Sequence, residues 1–349
     1  MKNSITQNYA IFDVGRIIAA ILVVAIHCMP SMPNDNLQNS YYFALGNVVA
    51  RLAVPYFFAV SGYFLAFKDV KYTMVIKSYV KRLIKLYIAW SLIYLPVNIY
   101  IWIENGSILL GILDYIRDFI FVGSFIPFWY FPAVIFSVLA VHFLLKKFKD
   151  TTIIFIATVF YIIGIFGDTY YGFISSTSIV KNMYDIYLSF FETTRNGPFF
   201  GFLFVAIGVY IRRNNKRMSM KKSILGLVLS LIGLFTEAYF LRILGDALDY
   251  NIYLFAVPTM FFLILCLQNV TLPKKRIYLR VRKMSVLVFG VHFIIMGLIA
   301  LLAYGFNLPV LVDNYTINFL VTTILSCIFS EIILRISENN PESWLRKIY

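Results

Sequence analysis

Ten apolar blocks of about 16 to 23 residues follow one another along the chain, at about 14–29, 44–66, 83–103, 128–145, 152–167, 198–212, 223–241, 252–269, 285–305 and 315–335. About 20 apolar residues are what a helix needs to cross ~30 Å of hydrocarbon, and a helix satisfies its own backbone polar groups there. The sequence therefore predicts an all-α integral membrane protein: a bundle of about ten transmembrane helices forming one domain over residues 1–349. The spans fall within 14–335 and a short cytoplasmic tail follows at 336–349. Composition excludes the soluble alternative. The chain is 60% hydrophobic and 14% charged, against roughly 45–50% and 25% in a soluble domain, which leaves too little polar surface to cover a fold of this size. No small-residue cleavage site follows the first block, so that block is expected to remain as a span.

The formal charge of +14 would in a soluble protein suggest a nucleic-acid partner. Its placement excludes that reading. Twenty-six of the 31 basic residues, among them Lys2, Lys68, Lys71, Arg82, Lys146, Arg213 and Arg282, fall in loops on one side. The other side keeps Arg51, Arg117, Lys181, Arg195 and Arg242, with ten acidic residues including Asp35, Asp168, Glu192, Asp246 and Asp249. By the positive-inside rule the basic side is cytoplasmic, and ten crossings place both termini there. The partner so implied is the lipid bilayer of the cell membrane, crossed many times. Two long outer connections stand apart. Residues 105–127 read as an interfacial amphipathic helix with Asp114, Arg117 and Asp118 on one face, and residues 168–197 are Tyr-rich and end in Thr194-Arg195-Asn196-Gly197. Together they are expected to wall an outer vestibule. Pro55, Pro132 and Pro258 lie inside apolar runs and predict kinks around which the bundle packs.

Ionisable groups at membrane depth are functional candidates by default. Arg16 and His27 are eleven residues apart, about three turns plus ~20°, so they share one face of the first helix about 16 Å apart along its axis. An arginine at the basic end can grip phosphate in a bidentate manner, and a neutral imidazole near the other end can take a proton. A snorkelling arginine and a hydrogen-bonded interfacial histidine would explain each residue singly; the shared face is what makes the pair informative. Glu237, at about the depth of His27, could orient the imidazole as the third member of a general-base arrangement, or pair with Arg242 at the interface. Arg51 and Arg195 are candidates for the acceptor or oxyanion side. Ser61, beside Gly62 and near Pro55, permits close approach of a helix or an extended ligand. His292 lies mid-span in the ninth block. Three scattered histidines and no clustered carboxylates predict no metal site, and no Walker loop, nucleophile elbow or dinucleotide fingerprint appears.

Arg16-x10-His27, the FF-x-x-SGY stretch at Phe57–Tyr63, FWYFPA at 128–133, TRNG at 194–197 and S-x6-H at Ser285–His292 resemble the acyltransferase-3 family of integral membrane acyltransferases over about residues 10–336. The resemblance implies ten core helices and transfer of an acyl group, usually acetyl from acetyl-CoA, to an extracytoplasmic hydroxyl acceptor on an envelope glycan or glycolipid. It implies donor binding for Arg16 and base catalysis for His27, with acyl-CoA as a substrate rather than a tightly bound cofactor. IIAAILVVAIHCMP, RLAVPYFFAVSGYF, IIGIFGDTYYGF and TRNGPFFGFLF are further similar to the membrane domain of membrane-bound serine racemases of the glycopeptide-resistance type. Those carry a racemase domain after the membrane part. This sequence ends at Tyr349 without one, so a role in serine uptake is implied and racemisation is not. The fourth block lacks the intramembrane Glu of members acting on polysaccharides, and no acceptor is carried over from them. Three readings follow: an O-acetylating membrane transferase, a small amino-acid carrier, and a membrane module for a separate cytoplasmic partner.

Overall fold

The computed structural model describes residues 9–29, 37–66, 72–174, 178–244, 247–340 and 342–349; Lys2, Asp35, Lys68, Lys71 and Asp246 lie outside them. The described residues are helical, with no strand. In chain order the helices are α1 (Ala10–Cys28), α2 (Leu37–Tyr42), α3 (Ala53–Leu65), α4 (Tyr72–Glu104), α5 (Ile108–Phe121), α6 (Tyr130–Leu144) and α7 (Asp150–Phe166). There follow α8 (Ile179–Phe191), α9 (Phe202–Arg213), α10 (Met220–Leu244), α11 (Ala256–Gln268), α12 (Ile277–Gly305), α13 (Val310–Asp313) and α14 (Tyr315–Asn339).

Each of the ten blocks contains helix, and seven stretches among the described residues are long and apolar enough to cross a membrane. This is a multi-pass membrane architecture. One of the seven, 108–144, is broken into α5, a tight turn at Ile126–Trp129 and α6. Helices α7, α9 and α11 have 17, 12 and 13 residues, and thirteen residues span only about 20 Å. Helix α9, which continues directly from a helical turn at Gly197–Gly201, is interior: nine of its residues are buried, on all sides of the helix, as expected where protein rather than lipid surrounds it.

Helices α3 and α9 form the closest pair. A Cβ on Gly62 would run into the backbone of Val205, and one on Gly208 into the backbone of Ala59 and Tyr63. The contact is therefore glycine to backbone in both directions, and it carries no side chain that could yield. Elsewhere Trp90 of α4 lies on Gly290 of α12, and the Tyr94 hydroxyl donates to the Gly290 carbonyl at 2.7 Å. Residues 342–349, expected as a plain tail, fold back on the bundle. Ile348 is buried, and its carbonyl accepts from Trp90 Nε1 at 3.1 Å.

The proline expectation needs correction at two of its three positions. Pro132 and Pro258 sit in the first turn of α6 and α11, where a missing N–H costs no helical hydrogen bond, so they start helices rather than kink them. Pro55 lies within a helical run unbroken over 39–65, just after its ladder changes from i→i+5 turns at Phe43–Val49 to a tight turn at Ala50–Leu52. Pro96 of α4 is a further proline inside a helix. The two long connections do meet: Arg117 Nη2 of α5 reaches Glu192 Oε1 at 2.5 Å, and Phe121 packs on Phe190 and Phe191.

Candidate functional site

Two cavities occupy the bundle interior, one toward each end of α1. The larger, of about 350 Å³, holds Arg16, Arg82 and Arg282 together with Ser61 and Tyr79. Asp13, one turn before Arg16, organises the first and last of these arginines. Its buried carboxylate accepts Arg282 Nε at 2.7 Å and Nη2 at 2.8 Å, and it also pairs with Arg16. The Arg16 guanidinium stands 5.1 Å from the centroid of the Phe64 ring. Three guanidiniums against one carboxylate leave this cavity positive, and the planar forks suit phosphate oxygens.

The smaller cavity, of about 30 Å³, is lined by His27, Arg51, Arg195, Asn251, Trp129 and Tyr130 among others. Both arginines are delivered by widened helical turns. Arg51 follows the i→i+5 turn Phe43–Val49, and Arg195 precedes another at Gly197–Gly201, whose start is capped by Asn196 Oδ1 accepting from Phe199 N at 3.1 Å. Such turns interrupt the helical ladder and re-aim neighbouring side chains. Arg195 lies over the Trp129 ring at 5.0 Å and donates through Nη1 to Asn251 Oδ1 at 2.7 Å. Arg51 donates to that same oxygen, to Asn47 Oδ1 at 3.1 Å, and meets Asp249 at 3.4 Å.

Asn251 is fixed from behind. Asp168, buried at the end of α7, accepts from Asn251 N at 2.9 Å, Asn251 Nδ2 at 2.9 Å, Ile252 N at 3.2 Å and the Thr169 hydroxyl at 2.8 Å. With its amide nitrogen committed to Asp168, Asn251 has only its oxygen to offer the arginines. His27 stacks on His292, with ring centroids 5.4 Å apart and planes inclined by 24°. His292 faces the Phe289 carbonyl through Nδ1 at 2.8 Å, which puts the proton on Nδ1 and leaves Nε2, buried with no hydrogen-bond partner, as a lone pair.

The cavities share Tyr130 and Phe289. These rings meet edge to face, 5.9 Å between centroids, and form a septum between them. The segment Gly123–Pro132 places Tyr130: Gly123, at φ +119°, turns the chain onto the backbone of Phe128 and Trp129, and Pro132 starts α6.

Of the residues singled out in the sequence, His27, Arg51 and Arg195 line one cavity, with His292 stacked on His27, and Arg16 lines the other. Two expectations are corrected. Ser61, assigned to the acceptor side, is in the Arg16 cavity, where its hydroxyl donates to the Phe57 carbonyl at 2.7 Å and accepts from Tyr79 at 2.9 Å. Glu237, assigned to orient His27, is committed elsewhere. Its Oε1 accepts from Tyr170 at 2.6 Å and Leu254 N at 2.6 Å, and its Oε2 accepts from Phe255 N at 2.8 Å. It caps the backbone leading into α11. Residues the sequence reading passed over are Asp13, Arg82, Arg282, Tyr130, Asn251 and Asp168. Two of them, Tyr130 and Asp168, stood in the resemblance strings FWYFPA and IIGIFGDTYYGF. No group of three potential metal ligands occurs among the described residues.

A family model described as an acyltransferase domain, acyltransferase-3, matches residues 9–334. The chain belongs to the acyltransferase-3 family. Relatives include an amino-acid racemase of Enterococcus faecalis, 29% identical over 93% of this chain and 46% of that protein, and a serine/alanine racemase of Enterococcus gallinarum, 31% identical over 72% of this chain and 36% of that protein. A second Enterococcus faecalis amino-acid racemase is 34% identical over 62% of this chain and 30% of its own length. The chain thus spans less than half the length of these relatives. No solved structure matches it.

Proposed function

We propose that the chain is a plasma-membrane acyltransferase, with ten crossings and both termini cytoplasmic, that moves an acetyl group from cytoplasmic acetyl-CoA to a hydroxyl acceptor on the outer side. The observation that carries this reading is the pair of cavities meeting at Tyr130 and Phe289, with a three-guanidinium cluster in one and His27 in the other. Arg16, Arg82 and Arg282 hold the donor's phosphates, and the thioester arm runs along α1 toward the septum. The ~16 Å between Arg16 and His27 is comparable to a pantetheine arm. His27 removes the hydroxyl proton as the acceptor oxygen bonds to the thioester carbonyl carbon. The C–S bond breaks, and the proton passes to the thiolate, giving ester and free thiol. Arg51 and Arg195 face the negative charge that develops on the carbonyl oxygen.

The test is thiol release from acetyl-CoA by purified protein in proteoliposomes, with mass analysis of the acceptor. His27→Ala is expected to lower the rate about 10²–10⁴-fold while acetyl-CoA binding persists. Full activity of that variant would overturn the mechanism. A second reading, a carrier for a small amino acid, is favoured by the racemase names of the relatives. Counterflow of labelled serine without acetyl-CoA turnover would select it.

A further inference from the structure

The cavity beside His27 is built for an anion, and its construction says which kind. Arg51 and Arg195 both donate to one neutral atom, Asn251 Oδ1. That holds two like charges side by side on an acceptor that neutralises neither. The Nε–H of each is buried and has no hydrogen-bond partner. The nearest carboxylates, Asp168 and Asp249, do not line the cavity; Asp168 binds Asn251 and Asp249 meets Arg51 at 3.4 Å. The cavity wall is therefore positive, and the compensating negative charge stands behind it.

Geometry narrows the anion: both guanidiniums already donate to Asn251 Oδ1 and each keeps an unpartnered Nε–H, so the ligand must bring an acceptor for each fork. A tetrahedral oxyanion offers one atom to the two guanidiniums. A carboxylate offers an oxygen to each, in the plane that a guanidinium fork prefers. Two hydrogen bonds from Asn251 to Asp168, whose carboxylate is itself fixed by Ile252 N and the Thr169 hydroxyl, hold Asn251, and through it the two forks, ready for that ligand.

We infer that the acceptor carries a carboxylate close to its reacting hydroxyl, as an amino or hydroxy acid or a uronic sugar does, and that Arg51 and Arg195 grip that carboxylate while the hydroxyl faces His27. The inference rests on the acyl-transfer reading for the hydroxyl's fate, and on the arginine pair alone for the carboxylate.

The experiment pairs acceptors that differ only in this group. L-serine against serinamide and glycerate against glycerol represent free small acids, and galacturonate against galactose represents glycans. Thiol release from acetyl-CoA is measured for each with the full chain in proteoliposomes. At least about a tenfold higher kcat/KM is expected for the carboxylate member of one pair or more, and the preferred pair identifies the source. Arg51→Gln and Arg195→Gln are expected to lower kcat on both members, because an oxyanion donor is lost, and to raise KM for the carboxylate member alone, so that the ratio of the two kcat/KM values falls toward one. Equal use of both members, or a preference for the carboxylate that stays the same in the variants while kcat falls on both, overturns the proposal and leaves the arginines as oxyanion donors only. If no acceptor supports turnover, the acyl-transfer reading fails separately. Binding of labelled L-serine competed by glycerate but not by serinamide or glycerol then still supports the carboxylate grip, and competition by all of them, or no binding, overturns it.

Discussion

Asp168 shows how much of this site depends on a residue that touches no substrate. Replacing it with alanine strips buried Asn251 of the acceptors of both its backbone N–H and its side-chain amide, whereas Ile252 N–H keeps the Thr169 hydroxyl. Each buried unpaired donor costs about 1–3 kcal/mol, so Asp168→Ala is expected to lose on the order of 3 kcal/mol of stability. The same change frees Asn251 to turn its amide nitrogen toward the arginines. Thermal unfolding in detergent checks the first effect, and a raised acceptor KM in the surviving protein checks the second; a variant as stable as the parent would remove Asp168 from this role. The sequence spacing revealed Arg16 and His27 because one helix carries both, and helical periodicity is a local property. Arg51, Arg195 and Asn251 converge from three distant segments, so no spacing could pair them. Glu237 was misassigned for a related reason: depth along a helix is legible from sequence, but the direction of a side chain around the bundle is not. Its carboxylate ends on the backbone at 254 and 255.

Among the elements, the α3–α9 pair is the least tolerant. Gly208→Ala drives a methyl group into the backbone of Ala59 and Tyr63, which cannot rotate away as a side chain would. It is expected to cost about 1–3 kcal/mol, the usual penalty for overpacking a filled interior, read as a lowered unfolding temperature. An unchanged temperature would show that the two helices can separate freely. This pair also explains where apolar patterning stops being informative. Block 198–212 has the hydropathy of a span, yet the helix within it has twelve residues and is enclosed by protein. Lipid and protein interior are equally apolar, so hydropathy reports burial without saying which surrounds the helix. The proline positions illustrate the same gap, since a proline in the first turn and one in mid-helix look alike until the helix start is known.

For the molecule as a whole, the septum of Tyr130 and Phe289 separates the two cavities. On the acyl-transfer reading, Phe289→Ala is expected to join them and let water reach the thioester, raising acceptor-independent hydrolysis of acetyl-CoA several-fold while transfer to acceptor falls. A hydrolysis rate equal to that of the parent would mean that other groups keep the cavities apart.

The septum also has an electrical consequence. On the acyl-transfer reading, an acetyl group leaves the cytoplasmic side while a hydroxyl proton arrives from outside. The guanidiniums of Arg51 and Arg195 repel that proton from the outer exit, and the new thiolate attracts it inward. Each cycle then exchanges one acetyl group for one proton and moves no net charge. A proton lost to the outside would instead make every turnover work against the membrane potential, at about 2.3 kcal/mol per 100 mV. Turnover in proteoliposomes under an imposed inside-negative potassium potential is therefore expected to keep its zero-potential rate, and slowing would reveal a proton escaping outward. With the proton kept inward, two aromatic rings and two arginines make the rate of acyl transfer independent of how strongly the membrane is energised.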